Sequence, residues 1–231
     1  MNRPIRFGCA GIAVGLLCAL APADPKADEM LPGWGKPIDP DGDCKIALDD
    51  GKLTFEVPGS WHALFIEGGK MNAPRVLRPA DGEFIVQVKV TGRFRPGPVC
   101  LRDGGIPFNG SGLVLWQDEK NYLRLERAAV LDADGLSPYI LYELRKNGER
   151  VLSTGIGCQD QDASLRLEVR ERKIFASVSF DDETWQALEP IESPFEDRMQ
   201  IGVSAGNSSN EPFKPQLEKF VVFRKQLDPG H

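Results

Sequence analysis

Gly110-Ser-Gly-Leu-Val-Leu-Trp-Gln-Asp-Glu-Lys-Asn-Tyr-Leu-Arg-Leu-Glu-Arg127 reads as two strands around a polar turn. Leu113 and Leu115 alternate with Val114 and Trp116, and Asp118 to Asn121 supply the turn. Leu123 and Leu125 then alternate with Tyr122, Arg124 and Glu126. Successive side chains of a strand point to opposite faces. The hairpin therefore has one apolar face, and one face carrying an aromatic and charges of both signs.

The same alternation recurs on both sides of this stretch. Lys52 to Val57 forms a strand stopped by Pro58-Gly59, and Phe84, Val86, Val88 and Val90 alternate with Ile85, Gln87 and Lys89. Ile140, Tyr142 and Leu144 oppose Leu141, Glu143 and Arg145, followed by Asn147-Gly148, a strong hairpin signal. Leu165, Leu167 and Val169 alternate with Arg166, Glu168 and Arg170, and Ile174 to Phe180 reads as the returning arm. Gln200 to Ala205 and Phe220 to Phe223 follow, while Asp181 to Glu183 turns the chain and Trp185 starts the next strand. Roughly ten strands with frequent turns, and no helical stretch, predict an all-β sandwich of two antiparallel sheets.

Residues 1–23 have Arg3 and Arg6, an apolar run from Phe7 to Leu20 and a small-residue end at Ala21-Pro-Ala23, the pattern of a cleaved secretory signal peptide. The expected organisation is signal peptide 1–23, tether 24–33, one sandwich domain 34–226 and tail 227–231. A secreted or periplasmic product follows, with no membrane attachment after cleavage. Loss of the two arginines moves the formal charge from −6 to −8, which argues against nucleic acid as a partner. The remaining cysteines, Cys44, Cys100 and Cys158, permit one disulfide or three free thiols.

The order of several motifs resembles an uncharacterised bacterial secreted family allied to the concanavalin A-like domain at the C-terminus of β-xylosidases. The matching stretches are Asp39-Pro-Asp-Gly-Asp-Cys44, Asn72-Ala-Pro-Arg-Val-Leu-Arg-Pro79, Gly110 to Arg127, Ser179 to Trp185, Ile201-Gly-Val-Ser-Ala205 and Phe220 to Phe223. The resemblance implies a concanavalin A-like jelly-roll sandwich. It implies no single activity, because that architecture hosts lectins, glycosidases and protein-binding modules. One departure stands out: this chain has His62-Ala63 where the family tends to carry a His-Asp pair.

Three constellations could carry function. The polar strand faces would gather Trp116, Tyr122, Arg124, Glu126, Arg145 and Arg166 if their strands are neighbours. Aromatic rings with fixed guanidinium and carboxylate forks would suit a polysaccharide or other glycan. The same pattern also fits a solvated sheet face whose cross-strand ion pairs contribute roughly 0.2–1 kcal/mol each. A glycoside hydrolase would need two carboxyls flanking the scissile bond, and Glu126, Glu143 and Glu168 lie on separate strands beside arginines. Asp39, Asp41 and Asp43 alternate in a tight turn and could hold a structural calcium ion. With two histidines and no cysteine cluster, zinc is not expected. Arg75 and Arg78 could reach an anion or fasten their loop to backbone carbonyls. A non-catalytic carbohydrate-binding module is the leading expectation. A dispersed-carboxylate hydrolase and a laminin G-like interaction module are the alternatives.

Overall fold

The computed structural model describes residues 29–224. The signal segment 1–23, the first half of the tether and the tail 227–231 lie outside the described residues. Seventeen strands occur among the described residues: β1 (Lys36–Ile38), β2 (Lys45–Asp49), β3 (Lys52–Glu56), β4 (Leu64–Phe65), β5 (Lys70–Met71), β6 (Arg75–Asp81), β7 (Phe84–Thr91), β8 (Phe108–Asp118), β9 (Asn121–Asp132), β10 (Gly135–Lys146), β11 (Glu149–Gly157), β12 (Ala163–Arg170), β13 (Lys173–Ser179), β14 (Gln186–Ala187), β15 (Ile191–Glu192), β16 (Arg198–Asn207) and β17 (Gln216–Arg224). A single 3-10 turn at Ile66–Gly68 joins β4 to β5. Among the described residues no helix is long and apolar enough to cross a membrane.

Two large antiparallel sheets form a concanavalin A-like sandwich. The first sheet runs β1-β6-β16-β8-β9-β10-β11, and the second runs β14-β13-β12-β7-β17-β3-β2, with β15 pairing β13. Alternation places Leu113, Leu115, Leu123, Leu125, Ile140 and Val203 of the first sheet against Phe55, Val86, Val88, Leu165 and Leu167 of the second, all fully buried or nearly so. Burying each such side chain contributes about 1.5–3 kcal/mol. The Asn147-Gly148 turn takes φ of 55° and 84°, the two positive values a type I′ hairpin requires. At the N-terminal end, Trp34 stacks on Phe220 at 4.9 Å, and Leu31 is buried with its backbone bridged to Gly35. Packing thus reaches back into the segment read as a tether.

The sheet assignment separates side chains that the alternation alone groups together. Arg166, Gln87, Lys89 and Glu168 belong to β12 and β7 of the second sheet, whereas Arg124, Glu126, Glu143 and Arg145 belong to β9 and β10 of the first. On the second sheet's outer side, Arg166 donates to Gln87 Oε1 at 3.2 and 2.9 Å and lies 3.7 Å over the Trp185 ring.

Asp182 ties that outer side together. It accepts from Lys89 at 2.7 Å, from Lys219 at 3.1 Å and from the Ser164 hydroxyl. The Lys89 bond, then the Ser164 bond, hold its carboxyl well below the ordinary aspartate value of 3.8. A carboxyl depressed in the folded state contributes stability above its unfolded value and loses it as pH falls. The urea midpoint is therefore expected to drop on acidification below pH 3.8. Asp182→Asn, which tolerates the positive φ of 65° there, should flatten that drop. Parallel acid profiles for the two proteins would contradict the assignment.

Candidate functional site

Strand register builds the outer face of the first sheet row by row. Val114, Arg124, Glu143 and Ser153 are successive partners across β8, β9, β10 and β11, and Trp116, Tyr122, Arg145 and Arg150 form the next row. The alternation expected for these strands holds, yet most of this polar face is also buried. The segment 61–73, including the β4–β5 hairpin, folds over one part of it. Leu64, Ala73, Leu77, Val114, Trp116 and Tyr122 form a second apolar cluster there. Tyr122 donates its hydroxyl to the Leu64 carbonyl at 3.0 Å, and Trp116 stacks on it at 5.5 Å. Arg75 lies 4.6 Å over the Trp116 ring and donates to the Ala73 carbonyl at 3.1 Å, while Arg78 donates to the Gly33 carbonyl. Both arginines are fasteners, and they stand on β6 instead of the expected loop.

Beside this cover the face opens as a cleft of about 290 Å³. Arg124, Glu143, Arg145 and Leu141 form its floor, with Trp61, Phe65, Phe108, Tyr139, Arg102 and Ile106 around it. Arg124 Nη2 lies 2.5 Å from Glu143 Oε1, and its Nη1 lies 3.4 Å from Glu126 Oε2. Arg145 donates to both oxygens of Glu143 at 3.4 Å and pairs with Glu67. Glu143 is thus held between two guanidiniums. Burial opposes the charge on Arg124, but Glu126 and Glu143 hold that guanidinium above its usual range. Burial, and then Arg150, push Arg145 down to about 10, still charged at neutral pH.

Glu126 sits beside the floor, on the same face as Arg124, 2% exposed, and accepts from the Ser204 hydroxyl at 3.3 Å. Gly110 makes room for it, since a Cβ there would come 3.0 Å from Glu126 Oε2 and into the Phe108 ring. Burial pushes the Glu126 carboxyl up against the pull of Arg124. Burial, with Glu126 next, also raises the Tyr139 phenol to about 12.

Of the six residues expected to line a site, the structure places Arg124 and Arg145 in the cleft. Trp116 and Tyr122 are sealed beneath the hairpin, Glu126 is buried beside the floor, and Arg166 is on the other sheet. The aromatics that reach the cleft are Trp61, Phe65, Phe108 and Tyr139. Trp61 and Phe65 form a rim, 6.4 Å apart, with Lys70 over the first ring and Arg102 over the second. They come from a non-periodic segment, so no alternation points to them. The turn at Pro58-Gly59 just before Trp61 is the nearest sequence signal.

The acidic loop folds against the same segment. Its three carboxylates take separate partners: Asp39 accepts from the Cys44 N–H at 2.8 Å, Asp41 from the Asn72 amide at 2.7 Å, and Asp43 lies 2.8 Å from His62 Nε2. Asn72 also donates to the Trp61 carbonyl and accepts from the Ala63 N–H. Cys44, Cys100 and Cys158 are free thiols. Burial, and then Asp39 and Asp43, push the Cys44 thiol up.

The chain matches no protein-family model and no curated protein sequence. It is similar in structure to a functionally unknown protein from Saccharomyces cerevisiae, with a TM-score of 0.64 and 18% identity over 84% of this chain and 98% of that one. A xylan β-1,4-xylosidase from Bacillus halodurans superposes with a TM-score of 0.52 and 12% identity. The match covers 84% of this chain but only 35% of the xylosidase. A legume lectin-like domain from Entamoeba histolytica superposes with a TM-score of 0.50 and 12% identity, over 82% of this chain and 89% of that domain. At these identities the likeness is one of fold.

Proposed function

We propose that this chain is an exported, non-catalytic module that binds a saccharide in the cleft over Arg124 and Arg145. The observation that carries the reading is the joining of a fixed guanidinium–carboxylate floor with an aromatic rim in one open cleft. Ring faces stack on the apolar faces of a sugar, and the Arg124–Glu143–Arg145 array offers donors and acceptors held in place by one another. The lectin-like and xylosidase neighbours support the reading through their shared architecture.

The electrostatics argue against glycoside hydrolysis. Such chemistry needs a protonated carboxyl and a second carboxylate facing the same bond. Glu143 is the one acid among the cleft-lining residues, both of its oxygens face guanidiniums, and no second carboxyl stands across the cleft from it. Glu126 has the raised carboxyl, but it is buried beside the floor and does not line the cleft.

Affinity gel electrophoresis against neutral and acidic plant and algal polysaccharides tests the proposal. Retardation by at least one polymer is expected. Trp61→Ala and Phe65→Ala should each weaken it about tenfold or more, the scale of a lost aromatic anchor. Both residues lie at the rim, so folding should persist and can be checked by thermal melting. Absence of retardation on every polymer, or retardation indifferent to both variants, would overturn the reading.

A further inference from the structure

We propose that Asp43, Cys44 and His62 form a binding site for a divalent transition-metal ion, zinc above all. The inference is independent of saccharide binding. Asp43 Oδ1, Cys44 Sγ and His62 Nε2 all lie within 4.8 Å of one another, although Cys44 and His62 come from different segments. Nε2 is 2.8 Å from Oδ1, and Sγ is 3.6 Å from it. Zinc binds nitrogen and oxygen at about 2.0–2.2 Å and sulfur at about 2.3 Å, in a tetrahedron whose neighbouring donors are roughly 3.3–3.7 Å apart. The three donors reach that spacing with small side-chain adjustments. Asp41 Oδ2 lies 4.0 Å from Nε2 but is already taken by the Asn72 amide, so the fourth position of the tetrahedron is left to solvent.

A second observation concerns the hydrogen bonding of His62, which is 1% exposed. Its Nδ1 lies 3.2 Å from the Ser60 carbonyl, and its Nε2 faces the Asp43 carboxylate. Nδ1 also lies 3.4 Å from the Ser60 hydroxyl, so Ser60 offers that nitrogen both a donor and an acceptor while Nε2 stays turned toward the acidic loop. An Nδ1–H held by a backbone carbonyl is also how a metal-bound histidine is usually oriented. Nearby, Asp39 Oδ1 is buried with no donor.

The donor set selects the ion. Calcium takes six to eight oxygens. Here Asp39 and Asp41 already accept from the Cys44 N–H and the Asn72 amide, and the converging atoms are one sulfur, one nitrogen and one oxygen. Mixed sulfur, imidazole and carboxylate ligands suit zinc or a similar borderline ion. The site is anchored through the His62 backbone, which exchanges two hydrogen bonds with Asn207.

The full chain without its leader, stripped of metal and kept reduced, would be titrated with Zn²⁺ by calorimetry and with Co²⁺ by absorption spectroscopy. One ion per chain and a thiolate-to-cobalt charge-transfer band are expected. Cys44→Ser, a near-isosteric change at a half-buried position, should abolish the band and weaken Zn²⁺ binding about tenfold or more. His62→Gln should weaken it similarly, while Cys100→Ser and Cys158→Ser should leave both readouts unchanged. Lack of Zn²⁺ binding, a band that survives Cys44→Ser, or Ca²⁺ binding with which Zn²⁺ does not compete would each overturn the assignment.

Discussion

Replacing Arg124 by Met is expected to cost about 3–5 kcal/mol of stability, the scale of removing one partner from a buried ion pair. Arg124 is almost fully buried between Glu126 and Glu143, and its loss leaves two carboxylates without their shared counter-charge. Their responses should differ. Glu126 already has a carboxyl pushed up by burial, so it can take a proton. Glu143 keeps Arg145 at 3.4 Å but loses its 2.5 Å bond to Arg124. The double variant Arg124→Met with Glu143→Met should recover most of the loss, because an apolar replacement of the whole pair removes the desolvation cost together with the attraction. Urea denaturation of the two single variants and the double variant closes the cycle. A single-variant loss below about 1 kcal/mol would mean the network behaves as an exposed one.

Gly202→Ala is expected to cost about 1–3 kcal/mol or more through overpacking. Gly202 lies in β16 between Leu77 of β6 and Val114 of β8. A Cβ at that position would overlap the Val76 carbonyl, which is backbone and cannot rotate aside. The β6–β16 pairing must part, loosening the edge of the sheet that carries Arg75 and the hairpin cover. Gly157→Ala is the matched control, since nothing lies within 4 Å of its Cβ position. Thermal melting should show a clear drop for the first variant and little change for the second; equal shifts would contradict the packing argument.

The individual strands were legible because alternation is a local signal. Leu113, Leu115, Leu123 and Leu125 announce one buried face, and Phe84, Val86, Val88 and Val90 another, without knowledge of any partner strand. Sheet membership was not legible. Arg124 and Arg166 occupy the same kind of position in strands of the same pattern, and only the crossover order places them on opposite outer surfaces. Alternation also reports which side of a strand a residue takes, not whether that side meets water. Trp116 and Tyr122 read as an aromatic margin, and the 61–73 segment buries them. The Trp61 and Phe65 rim and the meeting of Asp43 with His62 both depend on irregular loops closing on one another, where spacing carries no information.

The most direct measurement follows the arginine Nε–H signals by NMR while an oligosaccharide from a retained polysaccharide is added. Saturable shifts are expected at Arg124, Arg145 and Arg102, while Arg166, on the opposite surface, stays in place. Saturable shifts at Arg166 with the three cleft arginines unmoved would contradict it.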